Sequence, residues 1–233
     1  MTYRHELKFV LDEADSVMLR SRLQWILQKD SHIASSGYYT VRSLYFDDYY
    51  NKAYNEKNMS ILEREKYRIR LYNQSDDVIH LERKIKANNY IFKETAPLTR
   101  RETESILDEN YDFLRKDSSH LKQLFYHQCR SAFLRPRVMV DYEREPFVME
   151  AGDVRITFDR NIRAGMELLD PFNNEMAMVN VLKPNQLIME VKYTHFLPSI
   201  VRQLLNGPHA VYSSMSKYML CCERTLFKRR TSS

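Results

Sequence analysis

The chain has 233 residues, with 36 Lys and Arg against 31 Asp and Glu, a formal charge of +5, 43% apolar and 29% charged residues. At about 150 residues per domain this makes one large domain or two small ones, with apolar surface enough for a core and too little charge imbalance for a disordered chain. No stretch approaches ~18 uninterrupted apolar residues, which argues against a membrane-spanning helix, and the opening MTYRHELKFVLDEAD lacks a signal-peptide core, so a cytoplasmic chain is expected.

Residues 3–10 alternate Tyr3, His5, Leu7 and Phe9 against Arg4, Glu6 and Lys8, the period of a strand with two unlike faces. Asp12 is placed to cap a helix over 13–28, with Leu19, Leu23 and Ile26 on one stripe. Residues 40–47 are β-branched and aromatic, and Asp47-Asp48 reads as a turn. Residues 65–73, 78–86 and 90–95, separated by Asp76-Asp77 and Asn88-Asn89, predict an antiparallel meander. In its first strand Tyr67, Ile69 and Leu71 alternate with Arg68, Arg70 and Tyr72. Ser118 or Ser119 caps a helix over 120–133, where Leu121, Leu124, Phe125, Gln128 and Ala132 recur at helical spacing. Residues 136–149 and 153–160 pair around Ala151-Gly152, and 173–185 is the least ordered internal stretch. Leu187, Met189, Val191 and Tyr193 then alternate with Ile188, Glu190 and Lys192, followed by shorter helices over 196–206 and 216–226. Without a repeat or a linker, residues 1–227 read as one domain with a basic tail over 228–233: an α+β chain dominated by antiparallel strands.

Glycine and cysteine exclude several chemistries. The four glycines are Gly37, Gly152, Gly165 and Gly207, the nearest two 13 residues apart. A P-loop, a dinucleotide fingerprint and a G-x-S-x-G elbow each need glycines within a few residues, so phosphate, if the protein handles it, must be met by side chains. Cys129, Cys221 and Cys222 have no zinc-ligand spacing and read as reduced, buried thiols.

The polar strand faces carry the chemistry. They hold Glu6 and Lys8, Arg68 and Arg70, Glu82, Lys84 and Lys86, Lys93, Arg144, Arg155, and Glu190 with Lys192. Two arrangements are open. The charged faces can be solvated over an ordinary one-sided sheet, which the pattern alone favours. Or the sheet closes into a barrel with these faces inward, which requires an anionic ligand to offset the cations. Recurrent Arg at alternate positions favours the second, because guanidinium forks match phosphate oxygens two at a time.

The ordered series H-E-L-K, S-L-Y-F-D, E-K-Y-R-I-R-L-Y, L-E-R-K-I-K, F-K-E-T-A-P-L-T, R-P-R-V-M-V-D-Y-E-R-E-P-F, V-R-I-T-F-D, M-E-V-K-Y and S-M-S-K-Y resembles the VTC domain. That is the polyphosphate polymerase domain of the vacuolar transporter chaperone complex, in the CYTH or triphosphate tunnel metalloenzyme superfamily. The resemblance runs from about Tyr3 to Cys222 and implies an antiparallel eight-stranded β-barrel tunnel with helices packed outside and basic side chains inward. It further implies phosphate binding by Lys8, Arg68, Arg70, Lys84, Lys93, Arg144, Arg155, Lys192 and Lys217, with Arg68, Arg70, Lys84 and Lys192 in catalysis, and a divalent metal (Mn²⁺ or Mg²⁺) at Glu190. The superfamily opening E-x-E-x-K departs here to Arg4-His5-Glu6-Leu7-Lys8, with Arg4 in place of the first acid, which points Glu6 toward structural pairing with a neighbouring cation.

The implied reaction moves the γ-phosphoryl group of ATP onto a growing polyphosphate chain. The alternatives are a triphosphatase with water as acceptor and a non-catalytic module binding polyphosphate or an inositol phosphate. Nucleic acid is a weaker partner, because the cations alternate with acids. The tail cations Arg224, Lys228, Arg229 and Arg230 suit either solvent or a membrane surface or membrane-protein partner, and oligomeric state is not readable.

Overall fold

The computed structural model describes residues 4–30, 37–87, 90–165, 169–205 and 211–230. In chain order the elements are β1 (His5–Asp12), α1 (Glu13–Leu23), β2 (Gln28–Lys29), β3 (Tyr39–Asp47), α2 (Lys52–Asn58), β4 (Glu63–Tyr72), β5 (Ser75–Ala87), β6 (Tyr90–Leu98) and α3 (Arg100–Leu107). There follow a 3-10 turn (Asp112–Lys116), α4 (His120–Ser131), β7 (Arg135–Met149), β8 (Val154–Gly165), β9 (Met178–Asn180), β10 (Gln186–Tyr193), α5 (Ser199–Leu205), β11 (Val211–Tyr212) and α6 (Lys217–Arg230). A second 3-10 turn, Ala151–Asp153, joins β7 to β8, with Gly152 at φ 76 where a side chain would run into the Phe196 carbonyl.

All strands belong to one antiparallel sheet in the order β11-β1-β10-β8-β7-β3-β4-β5-β6, with β2 on β7 and β9 on β8. The expected antiparallel α+β architecture is present, but the strand count is not the expected eight. Among the described residues the sheet has 11 strands, and its outer strands β6 and β11 do not pair with each other. It is nevertheless curled. Lys84 on β5 reaches across the concave side to Glu6 on β1, Nζ to Oε2 3.0 Å. Curvature is introduced where register shifts, between Tyr45 and Phe46, between Leu71 and Tyr72, and between Asp141 and Glu143.

The convex face carries the apolar half of each alternation. Leu44, Phe46, Ile69 and Leu81 pack under Ile106 of α3 and Leu121 and Phe125 of α4. Phe147, Ile156, Phe158 and Met189 pack under Leu19 and Leu23 of α1 and Val201 and Leu205 of α5. Each fully buried Leu, Ile or Phe contributes about 1.5–3 kcal/mol. The last helix differs from these. Tyr218, Cys221 and Cys222 of α6 pack against Val41, Val138, Val140 and Ile188, which share a strand face with the cavity-lining Tyr45, Arg144 and Glu190. So α6 fills part of the concave side, and along β7 and β10 the inner face changes from apolar to charged. All three cysteines are buried and free, and burial pushes the Cys222 thiol up to about 11.

Several predicted bounds shift for local reasons. The helix expected over 13–28 stops at Leu23, and that over 120–133 stops at Ser131, just before Phe133 at φ 53. The strand expected over 90–95 runs to Leu98 through Pro97, tolerated because β6 is an edge. The stretch 173–185 carries β9, and Arg42 clasps its entrance through the carbonyls of Pro171 at 3.2 Å and Asn173 at 2.9 Å. The helix expected to end at 226 continues to Arg230. Asn88-Asn89 and residues 231–233 lie outside the described residues.

Two helices were not read from the sequence, α2 and α3. The first is held by Asp47, whose carboxylate accepts from Ala53 N at 2.8 Å and Tyr54 N at 3.1 Å. The second begins with a capping box: Thr99 Oγ1 accepts from Glu102 N at 3.1 Å, and Glu102 accepts from Thr99 N at 2.7 Å. Thr99→Ala is expected to cost about 1 kcal/mol, a Tm drop of about 2–4 °C by thermal denaturation.

Candidate functional site

Period-two alternation on six strands aims one side of each into a common cavity of about 230 Å³. Strand β4 contributes Arg64, Lys66, Arg68 and Arg70, and β5 contributes Lys84 and Lys86. From the other wall come Glu6 and Lys8 of β1, Glu190 and Lys192 of β10, and Tyr142 and Arg144 of β7. Tyr45 of β3, Lys57 of α2, the serines of 213–216, and Lys217 and Tyr218 at the start of α6 also line it. Among the described residues the lining holds eleven Lys or Arg side chains and two carboxylates, so the space is strongly cationic. The N-terminus of α6 adds its positive dipole end to the same wall.

The deepest cations are braced by acids. Arg144 makes a bidentate pair with Asp159 at 2.6 and 2.7 Å, and Lys217 meets Asp159 at 2.6 Å and Glu190 at 2.7 Å. Glu190 also faces Lys192 at 3.2 Å, Lys8 at 3.6 Å and Arg144 at 3.6 Å. Arg68 pairs with Glu82, Nε to Oε2 2.6 Å, and donates to Tyr45 Oη at 2.7 Å. Arg70 donates to Ser43 Oγ at 3.0 Å and Tyr142 Oη at 3.3 Å, with Glu82 at 3.9 Å. The negative charge between adjacent arginines is therefore in part the protein's own Glu82. Glu6 takes Lys8 and Lys84, both at 3.0 Å.

These pairs set the ionisation of the site. Burial acts to raise the carboxyls of Glu6, Glu82, Asp159 and Glu190, but the surrounding cations outweigh it and hold all four below their ordinary range. Burial also pulls Lys192 down, to about 8, with Glu190 acting against it. Because the carboxyls are lowered by folding, their stabilisation is complete above about pH 4–5 and is lost as pH falls through the depressed folded values. Urea denaturation is expected to give a constant midpoint from pH 6 to 5 and a steep decline below about pH 4. Equal midpoints at pH 6 and pH 3 would contradict the pairing scheme.

Of the residues expected from the sequence, Lys8, Arg68, Arg70, Lys84, Arg144, Lys192, Lys217 and Glu190 share this cavity. Lys93 and Arg155 do not line it. Lys93 reaches Glu82 from β6 at 2.9 Å, and Arg155 pairs with Asp30 at 2.8 Å. Arg155 lines a second cavity of about 420 Å³ that shares Lys192 with the first. Glu6, expected to pair with a neighbouring cation, meets Lys8 and Lys84. Missed altogether were Lys57, Arg64 and Lys66 and the phenols of Tyr45 and Tyr142. For Arg64 and Lys66 the signal was present, as the E-R-E-K-Y-R-I-R alternation extends back from Arg68.

Among the described residues no group of three or more His, Cys, Asp or Glu side chains is placed to hold a metal ion. A hard divalent ion would meet Glu190, with Glu6 across the Lys8 ammonium, and would need phosphate oxygens or water for its remaining ligands. That donor set fits an ion arriving with a polyphosphate group.

A family model described as the VTC domain matches residues 3–226. The chain belongs to the VTC domain family. No curated protein matches it. In fold, this VTC domain is similar to a Hippeastrum protein described as a candidate adenylyl cyclase with a dominant triphosphatase activity, at 12% identity, covering 96% of each chain with a TM-score of 0.56. It is also similar to the PH1819 protein of Pyrococcus horikoshii, at 13% identity and a TM-score of 0.50, covering 95% of this chain and 99% of that one. In this VTC domain Arg4 stands outside the main cavity, paired with Asp153 at 3.0 Å beside the second one. Among the described residues no helix is long and apolar enough to cross a membrane.

Proposed function

We propose that this VTC domain is a polyphosphate polymerase, transferring the γ-phosphoryl group of ATP to the end of a polyphosphate chain with release of ADP. The observation that carries the reading is the excess, among the described residues, of eleven cations over two carboxylates around one cavity. Phosphoryl transfer has a loose transition state with charge spread over peripheral oxygens, so alignment and cation placement supply most of the catalysis. A site dominated by oriented Lys and Arg suits that requirement.

In this reading Arg68 and Arg70, fixed by Glu82, Tyr45, Ser43 and Tyr142, present guanidinium forks to the triphosphate. Arg144 and Lys217 are anchored on Asp159 and contribute charge at the base of the cavity. Lys84 and Lys8, tethered to Glu6, close the opposite wall. Lys192 stands where the two cavities share a side chain and contacts the chain on its way between them. Glu190 would hold a divalent ion, Mn²⁺ or Mg²⁺, which when bound neutralises phosphate charge.

Water as acceptor turns the same arrangement into a triphosphatase, a reading supported by the likeness to the Hippeastrum fold. Incubating the purified chain with ATP and Mn²⁺ and staining a gel for polyphosphate separates these. Long-chain polyphosphate is the expected product. ADP and inorganic phosphate alone would make it a triphosphatase, and tight binding without turnover would make it a binding module.

A further inference from the structure

The cavity has two electrostatically different halves, and the register of β4 on β5 divides them. Arg68 stands opposite Glu82, an ordinary charge pair. The next inward-facing pair is Lys66 opposite Lys84, and the next Arg64 opposite Lys86. Like charges directly opposite destabilise a sheet, and here two such pairs follow in succession, with Lys57 of α2 lining the same space. Glu6 offsets Lys84 at 3.0 Å. Lys57, Arg64, Lys66 and Lys86 have no ion pair among the described residues: Arg64 donates to the Ile61 carbonyl, and the Lys66 ammonium lies 4.2 Å from the Tyr218 ring centroid.

The groups facing Lys66 are Arg64 on its own strand, Lys84 on β5, Lys8 on β1, and Tyr218 and the Cys222 thiol on α6. Burial and the three neighbouring cations bring Lys66 down to about 7, with Cys222 acting against them. Burial and neighbouring cations lower Lys57 and Lys86 as well, with Glu6 acting against them at Lys86. An anion docking on these four cations displaces no ion pair among the described residues, although Glu6 stands beside them on Lys84. In the other half it must compete with Glu82, Asp159 and Glu190 for the same cations.

We propose that Lys57, Arg64, Lys66 and Lys86 form a second phosphate subsite, which holds the acceptor end of a polyphosphate chain beside the donor triphosphate and takes up a proton on Lys66 when the anion docks. The division into donor and acceptor rests on the polymerase reading; the second subsite and its proton do not.

The test is calorimetric titration with metal-free pyrophosphate, in two buffers of different ionisation enthalpy, at pH 6 and pH 8. The wild-type chain is expected to bind two pyrophosphates. Lys57→Gln with Arg64→Gln should leave one, with a Tm no lower than wild type because repulsion has been relieved. Lys66→Arg should keep both sites and take up about one proton fewer than wild type at pH 8, and the same number at pH 6, where Lys66 is already charged. A single site in the wild type, or equal uptake by Lys66→Arg and wild type at pH 8, would overturn the proposal. No turnover is needed, so a chain that hydrolyses ATP without extending polyphosphate would still show both features.

Discussion

Arg70→Ala and, separately, Arg68→Ala are each expected to lose about 10²-fold or more of turnover, the scale of removing one oriented donor from a charge-stabilising site. Both side chains are held before any substrate arrives. Arg70 is fixed by Ser43 and Tyr142, and Arg68 by Glu82 and Tyr45, so neither must be ordered at the moment of transfer. Removing Arg68 leaves Glu82 with Lys93 at 2.9 Å and Arg70 at 3.9 Å, so the carboxylate is not stranded and the loss should appear in kcat more than in folding. Lys at either position restores the charge without the fork and should recover only part of the activity. Wild-type kcat in both alanine variants, assayed with ATP and Mn²⁺, would remove these arginines from the reaction.

Asp159→Ala should unfold the domain more readily than any substitution of a cavity cation. Asp159 is fully buried and receives Arg144 twice and Lys217 once, all within 2.7 Å. Deleting it leaves two buried cations with only Glu190 to share, and breaking a buried pair from one side costs about 3–5 kcal/mol. For a chain of this size that is a Tm fall of about 6–20 °C. Because the stranded cations face the cavity, added pyrophosphate should restore part of the loss by binding the folded state. A Tm within about 2 °C of wild type would show that Asp159 is not the keystone of this network.

Much of the site was legible because strand alternation assigns faces locally. Glu190 and Lys192 had to share a side once Leu187, Met189 and Val191 took the other, and Arg68 and Arg70 followed from Tyr67, Ile69 and Leu71 in the same way. Lys93 and Arg155 show where that logic ends. Each has the expected strand parity, yet one lies on edge strand β6 and is drawn to Glu82, while the other is turned to Asp30 beside a different cavity. Alternation specifies a face and not a position along it. The Thr99 to Glu102 capping box of α3 was a local signal left unused, whereas α2 depends on Asp47, which a turn reading of Asp47-Asp48 could not connect to Tyr218 on the last helix.

By itself the sequence determined that phosphate, if bound, would be met by side chains, since four scattered glycines cannot build a backbone cradle. It also determined which strand faces are cationic. Only the tertiary structure decided which cations meet a carboxylate and which meet each other, because Arg68 against Glu82 and Lys66 against Lys84 depend on β4–β5 register, and Arg144 against Asp159 on the β7–β8 pairing. It likewise decided that α6 would occupy part of the concave side, a consequence of long-range packing against Val140 and Ile188. Coulomb interactions act through space, so the charge balance of a cavity is fixed by cross-strand register and curvature, neither of which is encoded in the spacing of residues along one strand.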